Sequence, residues 1–153
     1  LASDLTENNN YYVQMREQGF ADFLKVEYPQ IEIVSRVESF ENPQITYEKT
    51  VQLLAEQPNL RGIYITCGGV AQVGRALIET GRANDVRVLC YEDYPEIVEL
   101  MRQGVVDWTL GGEKDEQGAL PVKLIMDQLV FGRKPVIHRI FTDIRILVKE
   151  CFS

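Results

Sequence analysis

The sequence predicts an α/β fold of three layers, in which helices cover both faces of a parallel sheet. Helical and strand-like segments alternate along the chain, and short connections rich in glycine, proline or asparagine separate them. With 153 residues, 45% of them apolar and 25% charged, the chain has the composition of a globular domain with a real core. Strands that alternate with helices in this way form parallel sheets with right-handed crossovers.

The first half of the chain predicts two helices and two strands. Helical spacing of apolar residues runs over 10–28, where a proline ends it. Residues 31–37 alternate as Ile-Glu-Ile-Val-Ser-Arg-Val, which is typical of a half-buried strand. An asparagine followed by a proline starts a second helix over 42–58. Residues 61–67 are a short apolar run that predicts a buried strand.

The second half repeats this alternation. Three helices are predicted, each ended by a glycine: one from after Gly69 to Thr80, then 94–103 and 116–131. Two buried strands and a last extended run are predicted at 86–91, 105–110 and 136–148. The connections are short enough to place consecutive elements beside each other.

Arg16 lies in the apolar stripe of the first helix, between Val13 and Phe20. A guanidinium in that row needs a partner, which is either a carboxylate of the protein or a hydroxyl-rich ligand held by two hydrogen bonds. The alternative is that its stem lies on the apolar surface and its charged group reaches water.

The carboxyl ends of the predicted strands carry groups suited to binding. These ends include Phe40, Asn42, Gly68, Glu92 and Gly112. In a parallel sheet such ends converge at the ligand site. An aromatic ring, amide and carboxylate groups, and the arginine of the first helix suit a polyhydroxylated small molecule. No nucleophile stands beside a base, so we expect no enzyme, no cofactor and no catalytic residue.

Other kinds of site receive weaker support. Gly68, Gly69 and Gly74 follow a strand, but their spacing matches no phosphate-binding motif. The carboxylates Glu92 and Asp93, with Glu113 in a neighbouring loop, could in principle hold magnesium or move protons, but acidic loops are usually solvated. We therefore expect no metal.

The remaining composition limits the partners and the compartment. Cys67, Cys90 and Cys151 are widely spaced, and His138 is the only histidine, set in an apolar run. This pattern predicts reduced thiols in a cytoplasm and a structural histidine, not a disulfide framework or a zinc site. The net charge of −7 argues against contact with nucleic acid by this stretch, and no run of about 20 apolar residues predicts a membrane span.

Taken in order, several motifs resemble the effector domain of lactose-repressor/galactose-repressor family regulators, which has the type I periplasmic-binding-protein fold. The motifs are Arg16-Glu-Gln-Gly19-Phe20, the strand Gly62 to Thr66 before a helix with Gly74, the turn Leu89-Cys-Tyr91-Glu92-Asp93, Met101-Arg-Gln-Gly104, and Gln117-Gly118 before a helix ending at Phe131-Gly132. The resemblance covers essentially the whole chain but only the second half of the family's two-lobed domain.

The resemblance implies roles for individual residues. Arg16 matches an arginine that holds sugar hydroxyls, Phe40 matches an aromatic that packs on the sugar ring, and Asn42 lies close to a further polar contact. Glu92 stands where the family usually has a sugar-binding aspartate. Asn10, Gly68 and Gly112 complete the expected ligand-binding set. Gly68-Gly69 and Gly112 replace the family's usual polar residues. The ligand is therefore expected to be larger than a simple pentose or hexose, or to be contacted differently.

The resemblance also implies an organisation for the chain. Residues 1–115 are expected to form the C-terminal lobe, 116–142 a crossover helix and strand that pack on a missing N-terminal lobe, and 143–153 a C-terminal strand and tail. Without that lobe the apolar face of the crossover helix would be exposed, so the chain is expected to form a homodimer, to exchange elements with a second copy, or to redock that helix. The exposed positions would be Leu120, Leu124, Ile125 and Leu129.

The function that follows is binding of a sugar-like effector by a cytoplasmic transcriptional regulator. Ligand closure would modulate operator binding through a DNA-binding domain absent from this chain. The alternative is a solute-binding protein of a sugar ABC transporter. An ATP-using or metal-using enzyme is a distant third.

Overall fold

The structure, a computed structural model, describes residues 11–134, 136 and 139–152. Five helices are assigned in this part of the chain: α1 (Tyr11–Glu27), α2 (Pro43–Glu56), α3 (Val70–Glu79), α4 (Pro95–Arg102) and α5 (Lys114–Phe131). The strands are β1 (Gly62–Tyr64), β2 (Arg87–Tyr91), β3 (Trp108–Gly112) and β4 (Ile144–Leu147), and a 3-10 turn follows at Lys149–Phe152. The α/β fold is confirmed.

The four strands form one sheet in the order β1, β2, β3, β4. β1 pairs with β2 and β2 with β3 in parallel, whereas β4 is antiparallel to β3. The sheet is therefore mixed, and the prediction of a parallel sheet holds for its first three strands. β4 follows α5 along the chain and enters the sheet in the opposite direction to β3.

The predicted strand at 31–37 is not formed in the structure, where the backbone of these residues joins no sheet. Alternating side chains show which face a segment turns to a core, but a strand also needs a hydrogen-bonded partner. Val37, from the end of this segment, still packs against the core. The predicted extended run at 136–148 is longer than the strand observed in the described residues, which is β4. His138 lies outside the described residues.

The main core fills one face of the sheet. Ile63 and Val88 point into it from β1 and β2, and Leu77 of α3 and Met101 of α4 are completely buried against them. α2 contributes to the same cluster. Cys90 is also buried there, and burial raises the pKa of its thiol to about 11. All three cysteines are free thiols.

α1 covers the opposite face of the sheet. Its Phe20 ring stacks on Tyr64 of β1 with 4.4 Å between ring centroids, and Val13 and Leu24 are buried. Phe23 lies on the exposed side of the helix, so it does not belong to the apolar stripe. Because α1 crosses this face with Arg16 four residues before Phe20, the arginine lies over the carboxyl ends of the strands.

α5 extends away from the core. None of its residues is buried, and Ile125 and Leu129 are 57% and 76% exposed, while Leu120 and Leu124 are half-buried. Within the described residues, no helix combines the length and apolar character that a membrane crossing requires.

Candidate ligand-binding site

A cleft lies at the carboxyl ends of the parallel strands. Its volume is about 410 Å³, within the size range of small-molecule sites. Arg16 of α1, Gly68 after β1, and Tyr91 and Glu92 at the end of β2 line it, together with Tyr94 at the start of α4. In open α/β sheets, ligands bind at this end of the strands.

A larger groove lies at the amino ends of the same strands. Its volume is about 650 Å³, and its lining includes Ile31, Val34 and Trp108 with the starts of β1 and β2. The wall of this groove is mostly apolar. It contains none of the predicted site residues, so the smaller polar cleft is the better candidate for a site that recognises a polar ligand.

Arg16 is held in the cleft by two interactions. Its NH1 donates a hydrogen bond to the backbone oxygen of Thr66 at 2.8 Å, and its guanidinium lies 3.7 Å from the centre of the Tyr91 ring. The Arg16 head is therefore held against the protein, and no carboxylate of the described residues forms an ion pair with it. A guanidinium has five N–H donors, so several remain for a ligand.

Tyr91 is itself fixed by Tyr64. The two phenolic oxygens are 2.7 Å apart, and burial raises the pKa of Tyr64 well above its usual value. The Tyr64 hydroxyl therefore stays neutral across the physiological pH range. Phe20, Tyr64, Tyr91 and Arg16 form a connected stack that prepares the guanidinium before a ligand arrives.

Glu92 is in the left-handed backbone region, with φ of 73°. Its backbone N–H donates to Leu110, and its backbone oxygen accepts a hydrogen bond from the Thr109 hydroxyl, so β3 fixes the turn. Nζ of Lys114 lies 3.5 Å from the Glu92 carboxylate and donates to Asp93, which raises the pKa of Lys114. Unfavourable backbone geometry that neighbours hold in place is frequent at functional sites.

The loop before α2 brings an unpredicted carboxylate to the cleft. Glu41 lines the cleft, and both Phe40 and Glu41 have positive φ, 52° and 55°. The Glu41 side chain packs over Gly68, with Oε1 3.4 Å from the position that a Cβ at residue 68 would take. A signal in the sequence was available, since Glu41 stands between Phe40 and Asn42, both of which were predicted to bind.

The structure brings together only part of the predicted set. Arg16, Gly68 and Glu92 line one cleft, whereas Phe40, Asn42 and Gly112 are not in its lining. Asn10 lies outside the described residues.

Each of the three residues outside the lining has a local explanation. Asn42 caps α2, because its side-chain oxygen accepts hydrogen bonds from the backbone N–H groups of Gln44 and Ile45. Phe40 is 57% exposed on the loop. Gly112 lies against Gln117, whose Nε2 would be 2.7 Å from an added Cβ.

The described residues include no group of three or more His, Cys, Asp and Glu side chains that could hold a metal ion. Glu113, considered above with Glu92 and Asp93, instead pairs with Arg145 of β4. The cleft is suited to bind a polar ligand, because an arginine, carboxylates and tyrosine rings all line the same cavity.

Comparison with known protein families identifies the family to which the chain belongs. Residues 3–134 match the family model described as periplasmic binding protein domain. No curated protein matches the chain.

Solved structures of sugar-binding proteins have the same fold. The glucose-galactose binding protein GanP of Geobacillus stearothermophilus is 25% identical, with a TM-score of 0.85 over 97% of this chain and 52% of that one. The sugar-binding protein of a sugar ABC transporter of Bacillus halodurans is 22% identical, with a TM-score of 0.83 over 97% and 55% of the two chains. An ABC transporter solute-binding protein of Agrobacterium vitis, bound with alpha-D-tagatopyranose, is 16% identical, with a TM-score of 0.87 over 99% and 50%. The chain thus spans about half the length of these structures.

Proposed function

Because the chain belongs to the periplasmic binding protein domain family, we propose that it supplies one lobe of a sugar-binding domain and half of the ligand cleft. The observation that carries this proposal is the Arg16 guanidinium, fixed on Tyr91 and Thr66 in a polar cleft at the strand ends. Arg16 and Glu92 are proposed to bind ligand hydroxyls, and Phe40 to reach the ligand from the adjoining loop. Gly68 leaves room for the ligand.

The role that the comparisons favour is that of a solute-binding protein of a sugar ABC transporter. The solved structures that resemble the chain include sugar-binding proteins of such transporters. Their domains extend to about twice the length of this chain, so a second lobe of the parent protein would close over the ligand.

The effector domain of a cytoplasmic DNA-binding regulator is the second candidate role. The motif order from Arg16 to Gly132 favours it, since it resembles the lactose-repressor/galactose-repressor family. The coding sequence upstream separates the two roles: a secretory or lipoprotein signal supports transport, and a basic helix-turn-helix supports regulation.

Binding to neutral hexoses and pentoses tests the proposed function. The full-length protein is expected to bind at least one of D-glucose, D-galactose, D-xylose and D-tagatose, and to show no turnover of it, as measured by isothermal titration calorimetry and product analysis. This chain alone is expected to bind far more weakly, because one lobe buries well under the roughly 70 to 90% of a ligand that closed sites cover. Turnover of a sugar, or equal affinity of the single lobe, would contradict the proposal.

We also propose that the isolated chain associates with itself through α5. Val122, Ile125 and Leu129 are each more than half exposed, and each apolar side chain of this size gains about 1.5 to 3 kcal/mol when it is fully buried. Light scattering is expected to show dimers or larger species, and Leu129→Glu is expected to convert them to monomers. Val26→Glu is the matched control, because Val26 is an exposed apolar residue of a different helix, α1. A monodisperse monomer at all concentrations contradicts this proposal.

A further inference from the structure

The cleft carries more carboxylates than cations. Among the residues that the structure describes, Glu41, Glu92 and Glu96 line it, and Arg16 is the one cationic side chain in the lining. Lys114 at the margin lies 3.5 Å from the Glu92 carboxylate, which offsets that charge. In the described part of the chain, Glu41 and Glu96 form no ion pair. The side chains that this chain contributes to the cleft therefore carry a net negative charge.

Glu41 is the carboxylate best placed to use this charge. Its side chain crosses the loop and rests over Gly68, and a larger residue at position 68 would meet its Cγ and Oε1 at 3.4 Å. Gly68 lies just before α3, so the Glu41 side chain stands near the N-terminal end of that helix, where the helix dipole attracts negative charge. Glu41 also takes the space in which an anionic ligand would approach that helix, so a phosphate or sugar acid is disfavoured.

Resting on the proposed function, we propose that the cleft selects an amino sugar, a polyhydroxylated ligand with a positive charge, and that Glu41 recognises its ammonium group. Hydroxyl groups of a neutral sugar can donate hydrogen bonds to a carboxylate, but they supply no opposite charge. An ammonium group donates hydrogen bonds and supplies the opposite charge. The tyrosine rings and Arg16 remain for the hydroxyls and the C–H face of the same ligand.

Matched ligands test this selection in the full-length protein. D-Glucose, D-galactose, their 2-amino and 6-amino derivatives, the N-acetylated 2-amino sugars and the corresponding uronates differ mainly in charge. By calorimetry near neutral pH, at least one amino sugar is expected to bind about tenfold or more tightly than its neutral parent, a gain typical of one charge-assisted hydrogen bond. The acetylated forms and the uronates are expected to lose this gain.

Glu41→Gln assigns the gain to one residue, because it keeps the shape and removes the charge. It is expected to weaken the binding of the amino sugar more than that of the neutral sugar, so that the ratio of the two affinities falls by about threefold to tenfold. Glu27→Gln, an exposed carboxylate at the far end of α1, removes the same charge outside the cleft and is expected to leave the ratio unchanged.

The outcomes separate this inference from the function on which it rests. Neutral sugars that bind as tightly as every amino sugar, or a ratio insensitive to Glu41→Gln, overturn the inference and leave sugar binding standing. If no sugar in either panel binds, the proposed function fails, and the inference fails with it.

Discussion

Arg16→Ala is expected to weaken sugar binding by the full-length protein by about 1.5 to 3 kcal/mol, the range for charge-assisted hydrogen bonds. The substitution removes the donors that the ligand would meet, and it empties the place between Tyr91 and the Thr66 backbone oxygen. Because most of α1 packs through Val13, Phe20 and Leu24, the fold is expected to survive. Calorimetry measures the affinity, and thermal unfolding measures the fold.

Arg75→Ala is the matched control for charge. Arg75 is an exposed arginine of α3 that pairs with Glu79 outside the cleft, and exposed pairs contribute little to stability. Its removal is expected to leave sugar affinity unchanged. If Arg16→Ala binds sugar as well as the unaltered protein but melts at a much lower temperature, the residue has a structural role and the proposed site is wrong.

Leu77→Ala is expected to have the largest effect on stability, a loss of about 2 to 5 kcal/mol in the free energy of unfolding. Leu77 is fully buried between α3 and the sheet, among side chains of the main core, so its removal leaves a cavity there. Urea denaturation followed by circular dichroism measures the loss.

The next residue along α3 provides the control. Ile78 is 47% exposed, so Ile78→Ala removes a side chain of the same size and is expected to cost less than about half as much. Equal costs for the two substitutions would mean that α3 does not face the core as the structure describes.

The sequence predicted the elements that carry their own signal. α2 begins where an asparagine cap precedes a proline, and the buried strands β1 and β2 show as apolar runs. The segment at 31–37 was predicted wrongly because alternation reports faces and not pairing. The antiparallel direction of β4 depends on the path of the chain after α5, which no local pattern records.

The candidate site was predictable only in part, for a similar reason. Arg16 was conspicuous because a charge in an apolar stripe needs a partner, but the sequence did not show that this partner is the Tyr91 ring. Glu41 was missed because an acidic residue in a loop is usually solvated, and its position over Gly68 depends on two successive residues with positive φ. Contacts between distant segments carry no periodic signal.

The short outer strand of the sheet has a consequence for solubility. β1 is the terminal strand in the sheet order, and it has three residues, so it offers few backbone groups to a strand from another molecule. Ile31 and Val34, from the unpaired segment 31–37, line the same groove as Ile63 and Tyr64 of β1. Stacking of copies through the β1 edge is thereby disfavoured, even though the segment 31–37 has the alternating, β-branched character of an aggregation-prone strand.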